Sequence, residues 1–106
     1  MSDIFVAIAD PKRREILESL ARADQTVAQL VKSTGETTAT INKHIAILKT
    51  AKLVNASRAK TAVYSINPAG VKPLGIWAAK VAGAKLSAEL EIRADELGEK
   101  AEELLN

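Results

Sequence analysis

The side chains able to do chemistry gather between Thr37 and Lys49, TTATINKHIAILK. Asn42 brings a carboxamide that both donates and accepts, Lys43 a cation, Thr38 and Thr40 hydroxyls, and His44 the chain's one imidazole. Catalysis is not what this set suggests, because the chain has no cysteine, one histidine, no glycine-rich phosphate loop and no paired catalytic motif. An amide beside a cation is suited instead to reading base edges and phosphates. The spacing supports that use. Ile41, Ile45 and Leu48 fall on one stripe of a helix, while Ala39, Asn42, Lys43 and Ala46 fall on the opposite side. The two alanines there would let the backbone approach a groove closely. By itself the segment could equally be any amphipathic surface helix, and its flanks decide between the readings.

The elements before it have to position it. Ile4, Phe5 and Ile8 give a first short helix an apolar face, and Pro11 should stop that helix at Asp10. Asp10 can then cap a second helix, with Pro11 at its first position, that runs to about Arg22 and turns Ile16, Leu17, Leu20 and Ala21 inward. Lys12, Arg13 and Arg14 lie in its first turn, where cations oppose the helix macrodipole. Either they form a solvated face with an Arg14 to Glu18 pair, or they serve phosphate or inter-helix contacts. Thr26-Val27-Ala28-Gln29 reads as a capping box, and Val27, Leu30 and Val31 face inward on a third helix ended by Gly35. Thr37 caps the fourth. Two short helices joined through a glycine-containing turn make a helix-turn-helix, whose second helix enters the major groove.

Beyond Lys49, Leu53 to Ser57 and Ala62 to Ile66 are β-prone and flank Arg58-Ala59-Lys60-Thr61, which predicts a hairpin with Arg58 and Lys60 at its tip. A hairpin behind a recognition helix is a wing, and its cations can reach DNA backbone or minor groove. Asn67-Pro68 should cap a last helix that Pro73 bends or restarts. Leu74, Trp77, Val81 and Ala84 then have helical spacing, and Leu90, Ala94, Leu97, Ala101 and Leu104 follow a short heptad seam.

Composition bounds the reading. With 106 residues, 47% of them hydrophobic, the chain can build a modest core, and a single Phe, Tyr and Trp leave that core to Ala, Leu, Ile and Val. Residues 1–86 hold 13 Lys and Arg against 6 Asp and Glu, a net +7, whereas residues 87–106 hold 2 against 7, a net −5. We therefore expect a basic winged helix-turn-helix domain over 1–86 and an acidic helical extension over 87–106. A basic body favours a polyanion. The N-terminus has no basic segment before its apolar run, and the stretch from Leu74 to Leu86 is too short for a bilayer and carries Lys80 and Lys85. A cytoplasmic protein without a membrane partner is expected.

These pieces, IADPKRREIL, TVAQL, TTATINKHIAILKTAKLV and VYSINPAGVKPLGIW, in colinear order over roughly residues 4–80, resemble the ArsR/SmtB family of winged helix-turn-helix repressors. The resemblance implies a mainly α fold with a small β-hairpin wing, and a homodimer built through its first and last helices. It places Thr38, Ala39, Thr40, Asn42, Lys43 and His44 where such proteins contact DNA, although His44 is equally suited to packing. With the cap Thr37, and with Lys49, Arg58 and Lys60 toward phosphates, these make the expected DNA-binding set. Ile4, Phe5, Ile8, Trp77, Val81, Leu90 and Leu97 make the expected dimer contacts. Three features depart from the family pattern. The metal-binding cysteines are missing, Lys52 stands where the family usually turns with glycine, and the wing tip lacks its usual glycine. One histidine cannot supply the roughly four ligands of a zinc site, so no metal or other cofactor is expected.

The reading is a metal-independent, homodimeric, sequence-specific repressor of transcription, with autoregulation one role open to it and any small-molecule effector unknown. An architectural or nucleoid-associated protein of low sequence preference is the alternative, and a protein-interaction module is a third class.

Overall fold

The computed structural model describes residues 3–85, and Leu90 and Leu97 of the expected heptad seam lie outside them. By internal contacts the chain divides between Leu74 and Gly75. The first unit holds four helices and a hairpin in the order α1 (Ile4–Ala9), α2 (Pro11–Arg22), α3 (Val27–Thr34), α4 (Thr38–Thr50), β1 (Val54–Ala56) and β2 (Tyr64–Ile66).

The helix boundaries follow local chemistry closely. The Asp10 carboxylate accepts from the backbone N–H groups of Lys12 at 2.7 Å and Arg13 at 3.4 Å, and Pro11 occupies the first turn, where its missing N–H costs nothing. Thr26 and Gln29 close the reciprocal capping box, with Thr26 N–H donating to Gln29 Oε1 at 2.9 Å and Gln29 N–H to Thr26 Oγ1 at 3.2 Å. Gly35 ends α3 at φ 73°, the left-handed conformation that glycine accepts without strain.

Ile16, Leu20, Leu30, Ile41, Ile45, Leu48, Leu53 and Val54 form one buried cluster with Ala7 and Ala51. α2 lies at its centre, in contact with α1, α3, α4 and β2. Two expected inward positions differ. On α1 the stripe is Ile4, Ala7 and Ile8, with Ala7 buried and Phe5 at its exposed side. On α2 Ala21 is exposed and Ser19 is buried in its place. Ser19 tolerates burial because Gln25 Nε2 donates to both its carbonyl and its hydroxyl at 2.8 Å.

The hairpin is antiparallel, with Val54 opposite Ile66, Asn55 opposite Ser65 and Ala56 opposite Tyr64. Its strands are shorter than the sequence suggested, because Ser57 and Val63 already close the tip loop: Ser57 N–H donates to Val63 O and Val63 N–H to Ser57 Oγ, both at 2.9 Å. A third segment joins the tip end of β2, where Gln25 N–H donates to Tyr64 O at 3.0 Å and Tyr64 N–H to Gln25 O at 2.8 Å.

Between α4 and β1 the chain turns through Lys52 at φ 61°, the one non-glycine residue with positive φ among the described residues. Asn67 Nδ2 donates to the Lys52 carbonyl at 2.8 Å, and a β-carbon on Gly70 would overlap that same carbonyl oxygen. Asn67 therefore braces the turn through its side chain, while its carbonyl accepts from Gly70 and Val71 to start the last helix. The backbone is helical over 68–85, so Pro73 does not restart it. A single proline removes one backbone hydrogen bond, and neighbouring turns carry the helix past it. In the second unit Ile76, Trp77 and Val81 are at least half exposed. No helix among the described residues is long and apolar enough to cross a membrane.

Candidate nucleic-acid interface

α4 is started by two hydroxyls that serve each other. Thr37 Oγ1 accepts from the Thr40 N–H at 3.2 Å and donates to Thr40 Oγ1 at 2.9 Å. These threonines shape the helix end as an N-cap does, and they leave the next turns to present side chains outward. Ile41, Ile45 and Leu48 are buried, whereas Thr38, Ala39, Asn42, Lys43, Ala46 and Lys49 are exposed. Among the described residues, the side chains of Asn42, Lys43, Lys49, Arg58 and Lys60 make no hydrogen bond or ion pair. Their donors and, for Asn42, its acceptor are open to an outside partner.

The cationic first turn of α2 behaves differently. Arg14 Nη1 donates to the carbonyls of Ile8 at 2.8 Å and Ala9 at 3.2 Å, and Arg13 donates from Nε to Ala7 O at 2.6 Å and from Nη2 to Val6 O at 3.2 Å. Two guanidinium groups thus satisfy the orphan carbonyls at the C-terminus of α1. This replaces the Arg14 to Glu18 pair and gives the inter-helix alternative. Lys12 Nζ reaches Glu36 at 3.1 Å and Glu15 at 3.4 Å, tying the start of α2 to the turn before α4. The Glu36 hydrogen bond is the main reason the Lys12 ammonium titrates above its ordinary value, and the Glu15 charge adds to it. Asp10 titrates below the usual aspartate value, chiefly because of the Lys12 N–H, with the Arg13 N–H, the Arg13 guanidinium and His44 assisting against some desolvation.

His44 stands apart from the rest of the expected DNA-binding set. It is 9% exposed and its Nδ1 lies 3.5 Å from Arg13 Nη1, so its ring faces α2 and not the open side of α4. Thr40 is half-buried. A residue not singled out from sequence lies beside the set: Tyr64, at the tip end of β2, lines a groove of about 310 Å³ with Asn42, Ile45, Ala46, Lys49 and Thr50. Its strand propensity is evident in the sequence, but its place beside α4 is a tertiary contact, which local sequence does not announce. Of the expected dimer contacts, Ile4 and Ile8 are half-buried and Phe5, Trp77 and Val81 exposed.

A family model for bacterial regulatory proteins of the arsR family matches residues 10–56, the span from the α2 cap through β1. The chain is 33% identical to the transcriptional repressor SdpR of Bacillus subtilis over 60% of its own length and 71% of SdpR. It is 36% identical to the HTH-type transcriptional regulator Rv2034 of Mycobacterium tuberculosis, and here it spans 64% of each chain, under two thirds of that relative's length. Among solved structures, an ArsR-like transcriptional regulator from Rhodococcus superposes with a TM-score of 0.65 at 27% identity, covering 86% of this chain and 87% of the other.

Proposed function

The chain belongs to the arsR family of bacterial regulatory proteins, DNA-binding regulators of transcription, and from that premise we propose that it is a homodimeric, sequence-specific repressor that works without a metal effector in the cytoplasm. The observation that carries the reading is the split face of α4. A buried Ile41, Ile45 and Leu48 stripe fixes the helix, and Asn42 and Lys43 stand on its open side with no partner of their own. Asn42 matches the paired donor and acceptor of an adenine edge, and Lys43 the acceptors of a guanine or a phosphate. Lys49, Arg58 and Lys60 neutralise backbone on either side, and Tyr64 of the wing lines the groove beside the helix. Repression is the role carried by the name of SdpR. The absence of cysteine favours control by something other than a thiolate-bound metal. Phe5 on α1 and Trp77 and Val81 on the last helix supply exposed apolar surface for a second copy, and autoregulation is compatible with this arrangement.

Genomic footprinting tests the reading. Discrete palindromic sites are expected, whereas continuous coverage would assign the protein an architectural role. At such a site Lys43→Ala should weaken binding by about 1 to 3 kcal/mol while changing non-operator binding far less. Equal losses on both sequences would remove Lys43 from base readout.

A further inference from the structure

We infer that Arg13 is a positioning residue for the recognition helix, acting through His44, and that protonation of His44 breaks this tie to α4 and weakens DNA binding. Arg13 is 12% exposed in its side chain and is held from three sides. It donates to Ala7 O at 2.6 Å and Val6 O at 3.2 Å, it lies 3.7 Å from Asp10 Oδ2, and its Nη1 lies 3.5 Å from His44 Nδ1. One guanidinium therefore joins the end of α1, the cap of α2 and the middle of α4.

An arginine can only donate, so this contact is a hydrogen bond in the neutral tautomer of His44 that carries its proton on Nε2 and leaves a lone pair on Nδ1. Histidine changes charge between about pH 5 and 8. Protonation would place an N–H on Nδ1 against the guanidinium, where neither group accepts and both are cationic. Arg13 keeps two carbonyl acceptors and the Asp10 ion pair whatever happens at His44. The contact therefore opens on the α4 side, and the helix that carries Asn42 and Lys43 loses this polar tie to α2 while its apolar stripe stays buried.

The other ionisable groups around His44 do not cancel this. Asp10 faces both His44 and Arg13 and softens the repulsion, but its carboxylate is already engaged by two backbone N–H groups and by Arg13. α3 contributes Lys32, which is exposed, and β1 carries no ionisable side chain. Lys43 and Lys49 on α4 itself point outward, and Glu36 before it is held by Lys12.

The sign of the effect separates this role from a direct one. If His44 touched phosphate, its protonation would tighten DNA binding. As a relay to Arg13 it does the opposite. Operator affinity of the unaltered protein, measured from about pH 8 to about pH 5.5, should fall by at least about fivefold, the low end of coupling between linked sites. His44→Gln, which cannot take up the proton, should remove that fall. Arg13→Lys, which keeps the charge, should retain its sign, and Arg13→Gln should lose it. Because His44 is the only histidine, its nitrogen resonances report on it without ambiguity, and they should show the Nε2–H tautomer at about pH 8. Affinity that is flat or rises on acidification, an Nδ1–H tautomer, or a fall that survives in a folded His44→Gln protein would each overturn the proposal. It rests on α4 being the DNA-contacting helix. That premise fails separately, if Lys43→Ala leaves binding at neutral pH unchanged.

Discussion

Lys52 holds φ 61° at the turn between the recognition helix and the hairpin, a conformation that costs a side chain with a β-carbon about 1 to 2 kcal/mol. Asn67 donating to its carbonyl and the close approach of Gly70 fix the turn in that conformation. Glycine would relieve the strain and give back part of the gain as unfolded-chain entropy, so Lys52→Gly should stabilise the fold by about 0.5 to 1 kcal/mol. Denaturant midpoints measure this, and a lower midpoint would mean that the Lys52 side chain contributes more than its backbone costs. Asp10 carries the second residue-level expectation. Its carboxyl titrates lower in the folded protein than in the unfolded chain, so its contribution is fully present above the ordinary aspartate value and disappears as pH falls through the lower folded one. Melting temperature should therefore drop between about pH 5 and about pH 3, and Asp10→Asn should flatten that part of the curve. An identical acid slope in both proteins would shift the effect to other carboxylates.

At the scale of elements, what the sequence displayed was whatever local chemistry decides. The Asp10 cap, the Thr26 and Gln29 box, the Gly35 stop and the Ile41, Ile45 and Leu48 stripe could all be read from residue type and spacing, and each stands where it was expected. The misses arose where a distant partner overrides a local rule. Arg13 and Arg14 look like cations misplaced at a helix start until the end of α1 is brought against them. Ser19 is buried in place of Ala21 because Gln25 reaches it from beyond the helix. His44 offered two readings of equal weight, and only the packing of α4 on α2 shows its ring facing inward. The hairpin tip gives a prediction of its own. Arg58 and Lys60 are exposed beyond the Ser57 and Val63 closure. Lys60→Ala should weaken binding uniformly across sequences and make the salt dependence shallower by about one. An unchanged slope would mean the tip stays clear of phosphate.

At the scale of the whole molecule, a net +7 over residues 1–86 is joined to a net −5 over residues 87–106. Fields of opposite sign on one chain partly cancel for an approaching polyanion, and salt weakens that cancellation. Truncation after residue 86 should therefore raise DNA affinity at low ionic strength, with the gain shrinking as salt is added. Sedimentation of the same protein tests the heptad reading of Leu90 and Leu97, which expects a weaker dimer. No change in either measurement would leave the acidic segment outside both roles. The pairing of Gln25 with Tyr64 bears on the first unit as a whole too. Gln25 and Tyr64 exchange both backbone hydrogen bonds, and Gln25 in turn grips the end of α2 through Ser19. The wing is thus clamped beside its tip loop, through Gln25, to the end of the same helix that seats α4. Its two backbone amides there should exchange with deuterium only when the domain opens, while those of the tip exchange freely. The spacing between α4 and the cationic tip is thereby set as the protein folds, and a ligand that touches both would meet a gap already cut to length.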